Sequence, residues 1–245
     1  MTVTLLYEVF KILILDTNYL LPNYSYMKIS KYLHSCLVFE LDGYKILFDP
    51  GDYSFIEGLV TPEMFADVKT IVITHIHPDH FVIDILQKII TVSGAQIVTN
   101  SQVGEQLNKA GIKYLLLEDG IKHFGPFKLE AFPVQHALIM DNPLPQMTGF
   151  VINDKVLHPV DSMEDKLLKF NNIELLIMVT MAPFASEVMI SAFADKLHPR
   201  QILPVHDGYA KTFFIQKRYA AYVQHFDKLD IKFHEVYQIG DSITI

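Results

Sequence analysis

Short apolar runs that alternate with longer amphipathic stretches predict a mixed α/β (α+β) domain for this chain. Half of the 245 residues are apolar, enough to bury a sizeable core, and the length suits one domain of this kind. Residues able to carry chemistry follow directly after several of the apolar runs. That is where α/β proteins assemble their sites, because strand ends are rigid and the loops beyond them vary freely.

The elements read in order. Residues 28–41 and Tyr44–Phe48 form a hairpin across Asp42-Gly43, a pair suited to the left-handed positions of a two-residue turn. A strand over residues 69–74 leads into a helix over 81–92, and strand Gln96–Thr99 into a helix over 101–110 that Gly111 stops. Strands follow around Lys113, Phe127, Gly149 and Lys155, then a short helix after Ser162, a strand over 173–180 and a helix over 184–197. Strand Gln201–Val205, a long helix over 209–229 and strands over 231–236 and 242–245 complete the chain. Phe213, Phe214, Tyr222 and Phe226 of the long helix read as core. Residues 1–26 read as an N-terminal extension and 27–245 as the domain proper, with residues 18–25 as linker. Glu8, Lys11 and Asp16 interrupt the apolar stretch 3–21, which makes a poor membrane span and lacks the basic start of a signal peptide.

The run Thr74-His75-Ile76-His77-Pro78-Asp79-His80 places four metal-ligand side chains within six positions directly after a strand. A lone histidine is usually a surface or hydrogen-bonded residue, but clustering reverses that expectation. Three imidazoles and a carboxylate buried without a cation would cost roughly 1–3 kcal/mol for each group left unpaired. His75 and His77 share a side of an extended chain while Asp79 and His80 point differently, so two metals side by side would use all four. Further candidates lie just past later apolar runs: His136 after Phe127–Val134, Asp161 after residues 155–160, and His206 after Gln201–Val205. His123, His158, His198, His225 and His234 lack that pattern.

His75-Ile76-His77-Pro78-Asp79-His80 matches in full the HxHxDH motif of the metallo-β-lactamase-fold hydrolases, and His136, Asp161 and His206 follow in the order of that family's later metal-binding motifs. The chain therefore resembles this family. Tyr32-Leu33-His34-Ser35-Cys36-Leu37-Val38-Phe39-Glu40, the turn through Asp42-Gly43, Lys45-Ile46-Leu47-Phe48-Asp49-Pro50-Gly51, Leu203-Pro204-Val205-His206 and Gln238-Ile239-Gly240-Asp241 extend the likeness from about Met27 to the C-terminus. They resemble a branch of small metal-dependent hydrolases that includes an ascorbate-6-phosphate lactonase. The resemblance implies a four-layer αββα metallo-β-lactamase-like sandwich. It implies that His75, His77 and His136 hold one metal, that Asp79, His80 and His206 hold the other, and that Asp161 bridges them. Where the family often has Gly before this Asp, the chain has Val160.

The chemistry expected is hydrolysis of an ester, lactone, amide, thioester or phosphodiester of a small molecule, since two cations about 3.5–4 Å apart bring a bridging water toward neutrality in pKa and polarise the substrate oxygen. The cofactors expected are two divalent ions, zinc first, with manganese or iron as alternatives. Asp79 and Asp161 are the expected catalytic carboxylates, Asp79 orienting the water and passing its proton to the leaving group. Asp49 and His34 are candidates to support the ligands from behind, and Lys211 to meet an anionic group. The apolar, Pro-rich stretch 137–147 either lines the substrate site or packs on the surface. Cys36, the sole cysteine, excludes an internal disulfide and reads as a small buried residue rather than a nucleophile. A net charge of −8 without a basic run argues against a nucleic-acid partner. A cytoplasmic enzyme without membrane contact is expected, with a homo-oligomer left open. An iron-dependent oxidase or dioxygenase, or a metal-stabilised protein without catalysis, are the alternatives, and metal content separates them.

Overall fold

The computed structural model describes residues 26–245, so residues 1–25, and with them nearly all of the expected extension, lie outside the described residues. Its first sheet takes β1 (Lys28–Lys31), β2 (Leu37–Leu41), β3 (Tyr44–Phe48), β4 (Thr70–Ile73), β5 (Gln96–Thr99) and β6 (Leu115–Leu116). The second takes β7 (Gly120–Phe124), β8 (Phe127–Val134), β9 (Met147–Ile152), β10 (Val156–His158), β11 (Leu175–Val179), β12 (Gln201–Val205) and β13 (Lys232–Phe233). The last strand, β14 (Ser242–Thr244), returns to the first sheet beside β1, giving the orders β14-β1-β2-β3-β4-β5-β6 and β13-β12-β11-β10-β9-β8-β7.

These strands are apolar on both faces because both faces are covered. Leu37, Phe39, Ile46, Phe48, Val72 and Val98 of the first sheet meet Phe127, Leu129, Phe150, Ile152, Leu175, Ile177, Leu203 and Val205 of the second in one central layer. Alternate residues turn outward by the strand period of two. Cys36, Val38, Leu47, Ile71, Ile73 and Ile97 pack under α2 (Ile83–Ser93) and α3 (Ser101–Lys109), which follow the four-residue α1 (Asp52–Phe55). On the other side Val151, Leu157, Leu176, Met178 and Ile202 pack under α4 (Glu187–Leu197) and α5 (Thr212–Phe226). The result is the expected four-layer αββα sandwich. No described helix is long and apolar enough to cross a membrane.

Several boundaries differ from expectation for local reasons. The stretch 28–41 is two strands, because Leu33 (φ 67°) and His34 (φ 47°) take left-handed conformations and turn the chain. Asp42 (φ 50°) and Gly43 (φ 75°) form the expected two-residue turn between β2 and β3, both left-handed as a type I′ turn requires. Strand β7, α1 and the 3₁₀ turn Pro62–Phe65 carry no clear sequence signal. Phe213 and Phe214 correct the reading of the long helix: they are 59% and 41% exposed. Its buried stripe runs through Tyr219, Tyr222 and Phe226 at helical spacing, and neighbouring positions 213 and 214 fall off that stripe.

Strand direction places the site. β3, β4 and β5 are parallel, and β8, β10, β11 and β12 share one direction because β9 is antiparallel to both β8 and β10. Their C-terminal ends meet along one rim, joined by Thr148 N–H donating to Thr74 O (3.1 Å) and His206 N–H to His34 O (3.2 Å).

The fully buried Phe150 packs edge-on to Phe48 across the two sheets, ring centroids 5.6 Å apart. Phe150→Ala should cost about 3–5 kcal/mol, read as a lower urea midpoint. A loss below about 1 kcal/mol would contradict this packing.

Candidate metal centre

Five of the strands that reach the rim each deliver a piece of the site. β3 leads to Asp49, β4 to Thr74-His75, β8 to His136, β10 to Asp161 and β12 to His206. The ligand turn closes where the His80 and Phe81 amides both donate to His77 O (2.9 and 2.8 Å). Gly51 lets it pass: a Cβ there would lie 2.0 Å from Asp79 C and O and 2.3 Å from His80 N.

Two groups of donors form. His75, His77, His136 and Asp161 offer atoms all within 4.8 Å of one another, as do His34, Asp79, His80 and His206. Asp161 Oδ2 faces both, 3.6 Å from His75 Nε2, 3.3 Å from His136 Nε2, 3.4 Å from His80 Nε2 and 3.7 Å from His206 Nε2. Asp79 Oδ2 lies 3.5 Å from His80 Nε2 and 3.2 Å from His206 Nε2. Val160 sits at φ 57°, the conformation Gly adopts at least cost, and the chain still delivers Asp161 to the centre.

Hydrogen bonds behind the imidazoles set which nitrogen faces inward. Asp49 accepts from Thr74 N–H (2.8 Å), Thr74 Oγ1–H (2.7 Å) and His80 Nδ1–H (2.9 Å). With its hydrogen given to Asp49, Thr74 Oγ1 accepts from His75 Nδ1–H (3.1 Å). His136 Nδ1–H donates to Ala137 O and His206 Nδ1–H to Met181 O, both 2.6 Å. All four rings therefore turn Nε2, the nitrogen these bonds leave over, toward the centre.

The electrostatics demand a cation. Burial disfavours charge on Asp161 and Asp79, yet His206 and His80 beside Asp161, and His80 with hydrogen bonds from His206 and His34 at Asp79, hold both carboxyls below their ordinary range. Burial likewise opposes charge on His80, but Asp161, Asp79 and Asp49 outweigh it and keep this imidazole well above the usual histidine range. Positive charge is thus favoured at His80, beside the three carboxylates. The buried Nε2 atoms of His80 and His136 also have no hydrogen-bond partner in the protein. Buried ring nitrogens without a protein partner, set beside buried carboxylates, fit divalent metal.

Residues 28–206 match the family described as the beta-lactamase superfamily domain. The chain belongs to that family. Protein Rv0786c of Mycobacterium tuberculosis is 25% identical over 199 residues, spanning 74% of this chain and 84% of that protein. Igni18, described as a metallo hydrolase from Ignicoccus hospitalis, superposes with a TM-score of 0.65 at 18% identity, covering 90% of this chain and 99% of that one. CmlA, a diiron β-hydroxylase of Streptomyces venezuelae, superposes with a TM-score of 0.64 at 15% identity, covering 91% of this chain and 55% of that one. The family, the fold and two preformed His/Asp clusters agree on a metal-binding centre at this rim.

The structure brings all seven expected ligands together, with Asp49 and His34 behind them. Lys211 stays apart: exposed at the start of α5, it lines a neighbouring cavity rather than the metal cavity. His158 is buried against Phe48, while His225 and His234 pair with Asp195 and Gln201. Ile139 and Asn142 of stretch 137–147 line the cavity over the centre, whereas Leu138 and Met140 point into solvent rather than packing on the domain surface. Thr74 and the carbonyls of Ala137 and Met181 escaped the sequence reading. A carbonyl leaves no trace in residue identity, though Thr74 stood beside the motif.

Gly51→Ala should displace the Asp79-His80 backbone and weaken metal binding by about tenfold or more in calorimetric titration, at near-normal fold by circular dichroism. Unchanged affinity would show that the ligand turn tolerates the shift.

Proposed function

We propose that the chain hydrolyses an uncharged carboxylic acid derivative, an ester, lactone, thioester or amide of a small molecule, at a two-metal centre. The observation that carries this reading is Asp161 Oδ2, which stands between His75 and His136 on one side and His80 and His206 on the other at 3.3–3.7 Å. One anion shared between two sets of imidazole nitrogens is what a pair of divalent cations requires. His75, His77 and His136 would hold one ion and Asp79, His80 and His206 the other. Five imidazoles and two carboxylates favour zinc, ahead of manganese or iron. When bound, such a pair supplies an acidified water and a Lewis acid for the substrate oxygen.

The chain's own groups do the rest. Asp79 is partly open to the cavity, its side chain 16% exposed, and can take a proton and hand it to the leaving group. The cavity over the centre, about 500 Å³, has walls of Tyr53, Ile139, Asn142, Pro183, Phe184 and Tyr209. Among its described lining residues there is no Lys or Arg, so a phosphodiester would meet no side-chain cation, while the aromatic rings suit an apolar substrate. The hairpin likeness to the lactonase branch agrees with an acyl bond.

Purified protein should carry two zinc or manganese ions per chain by elemental analysis. Chelation should abolish turnover of p-nitrophenyl esters or lactones, and added metal should restore it. Asp161→Ala should lose at least one ion and slow turnover by about a hundredfold or more. Cys36→Ala should keep most activity, since burial pushes this thiol up and away from reactivity. Chelator-resistant turnover lost in Cys36→Ala would sink the metallohydrolase reading. Preference for bis(p-nitrophenyl) phosphate over every acyl substrate would overturn the acyl assignment alone. Redox-active iron with oxygen consumption would instead favour the chemistry of the diiron relative CmlA.

A further inference from the structure

His34 is joined to the second cluster by distance, yet its hydrogen bonds run opposite to those of the ligands. Its ring is fully buried between Tyr53 and His206, with ring centroids 5.0 and 4.2 Å away. Gly208 N–H donates to Nδ1 at 3.1 Å. A ring nitrogen that accepts carries a lone pair, so in the neutral imidazole the hydrogen sits on Nε2. That Nε2 lies 3.0 Å from Asp79 Oδ2. In His75, His80, His136 and His206 Nδ1 carries a hydrogen for a partner behind the ring, and Nε2 is the nitrogen that faces the centre.

We propose that His34 is not a fourth ligand of the second metal but a positioning residue, a neutral imidazole whose Nε2–H holds the Asp79 carboxylate in place. To bind metal through Nε2, a neutral His34 would need its hydrogen on Nδ1, where it would face the Gly208 N–H donor to donor. The backbone is built around this orientation. Leu33 and His34 both hold left-handed conformations at the turn, and the His34 carbonyl accepts from His206 N–H (3.2 Å), locking the turn to the strand end that carries a ligand. Gly208 serves by its size: a Cβ there would come within 2.8 Å of His34 Cβ. With His80 and His206 turned to metal, His34 is left as the donor that fixes Asp79 Oδ2. The inference rests on the two-metal reading for its consequence, not for its geometry.

The test has two arms. In ¹⁵N-histidine-labelled, metal-free protein, His34 should show a protonated Nε2 and an unprotonated Nδ1, unchanged when zinc is added. The reverse tautomer, or an Nε2 shift on zinc loading, would overturn the proposal whatever the enzyme hydrolyses. In zinc titrations of the full chain, His34→Leu should weaken the second site by about 10–100-fold, and His34→Gln, whose amide can donate from a similar reach, should return it to within about threefold. Equal loss in both variants would mark His34 as a ligand and overturn the proposal. If His34→Leu does not fold, the spectrum of the unaltered protein still decides. Failure of hydrolysis with normal ¹⁵N shifts would count against the proposed function and leave this inference standing.

Discussion

Asp49 accepts three hydrogen bonds at the end of β3, and the site hangs on that carboxylate. Two come from Thr74, which fixes the end of β4, and one comes from His80 on the far side of the ligand turn. Asp49 itself sits at φ 46°. Its amide donates to Val72 O at 3.0 Å, so the left-handed kink is held by the sheet it terminates. A single buried group thereby sets the direction of Thr74, the ring orientation of His80 and, through Thr74 Oγ1, that of His75. Loss of this carboxylate would leave three buried donors on two residues unpaired, which is costlier than the loss of any one bond.

The same logic of forced orientation explains why the centre is ready for metal. Imidazoles pinned from behind cannot turn away, and their inward nitrogens stand next to carboxylates that burial would otherwise neutralise. The energetic conflict is resolved by positive charge in the middle. Rigid sheets make this arrangement affordable to maintain, because β4, β8, β10 and β12 converge on the rim from two layers packed through Phe48, Phe150 and their neighbours. Specificity is placed differently. The walls of the cavity come from α1, from stretch 137–147 and from residues 182–184 and 209, segments free of the sheet register.

Much of this was legible in residue order. The hairpin turn and the strands Tyr44–Phe48, Gln96–Thr99 and Gln201–Val205 stand where periodicity and turn chemistry put them, and the seven candidate ligands gather beyond strand ends. The errors have physical causes. The break in stretch 28–41 is invisible in the sequence, because nothing in a non-glycine residue announces the left-handed conformation of Leu33 and His34. Phe213 and Phe214 are large and apolar yet exposed, because burial on a helix depends on angular position against the sheet.

Sequence by itself determined which residues could bind metal and that the chain would layer helices on sheets, since ligand chemistry and the periods of 2 and 3.6 are written in residue type and spacing. Tertiary structure decided which nitrogen each histidine presents. That choice depends on partners far away in the chain: Asp49 for His80, Met181 O for His206, and Gly208 for His34 across an interval of 174 residues. Spacing cannot encode it, because a backbone carbonyl or amide is common to nearly every residue and becomes a partner only when folding brings it there.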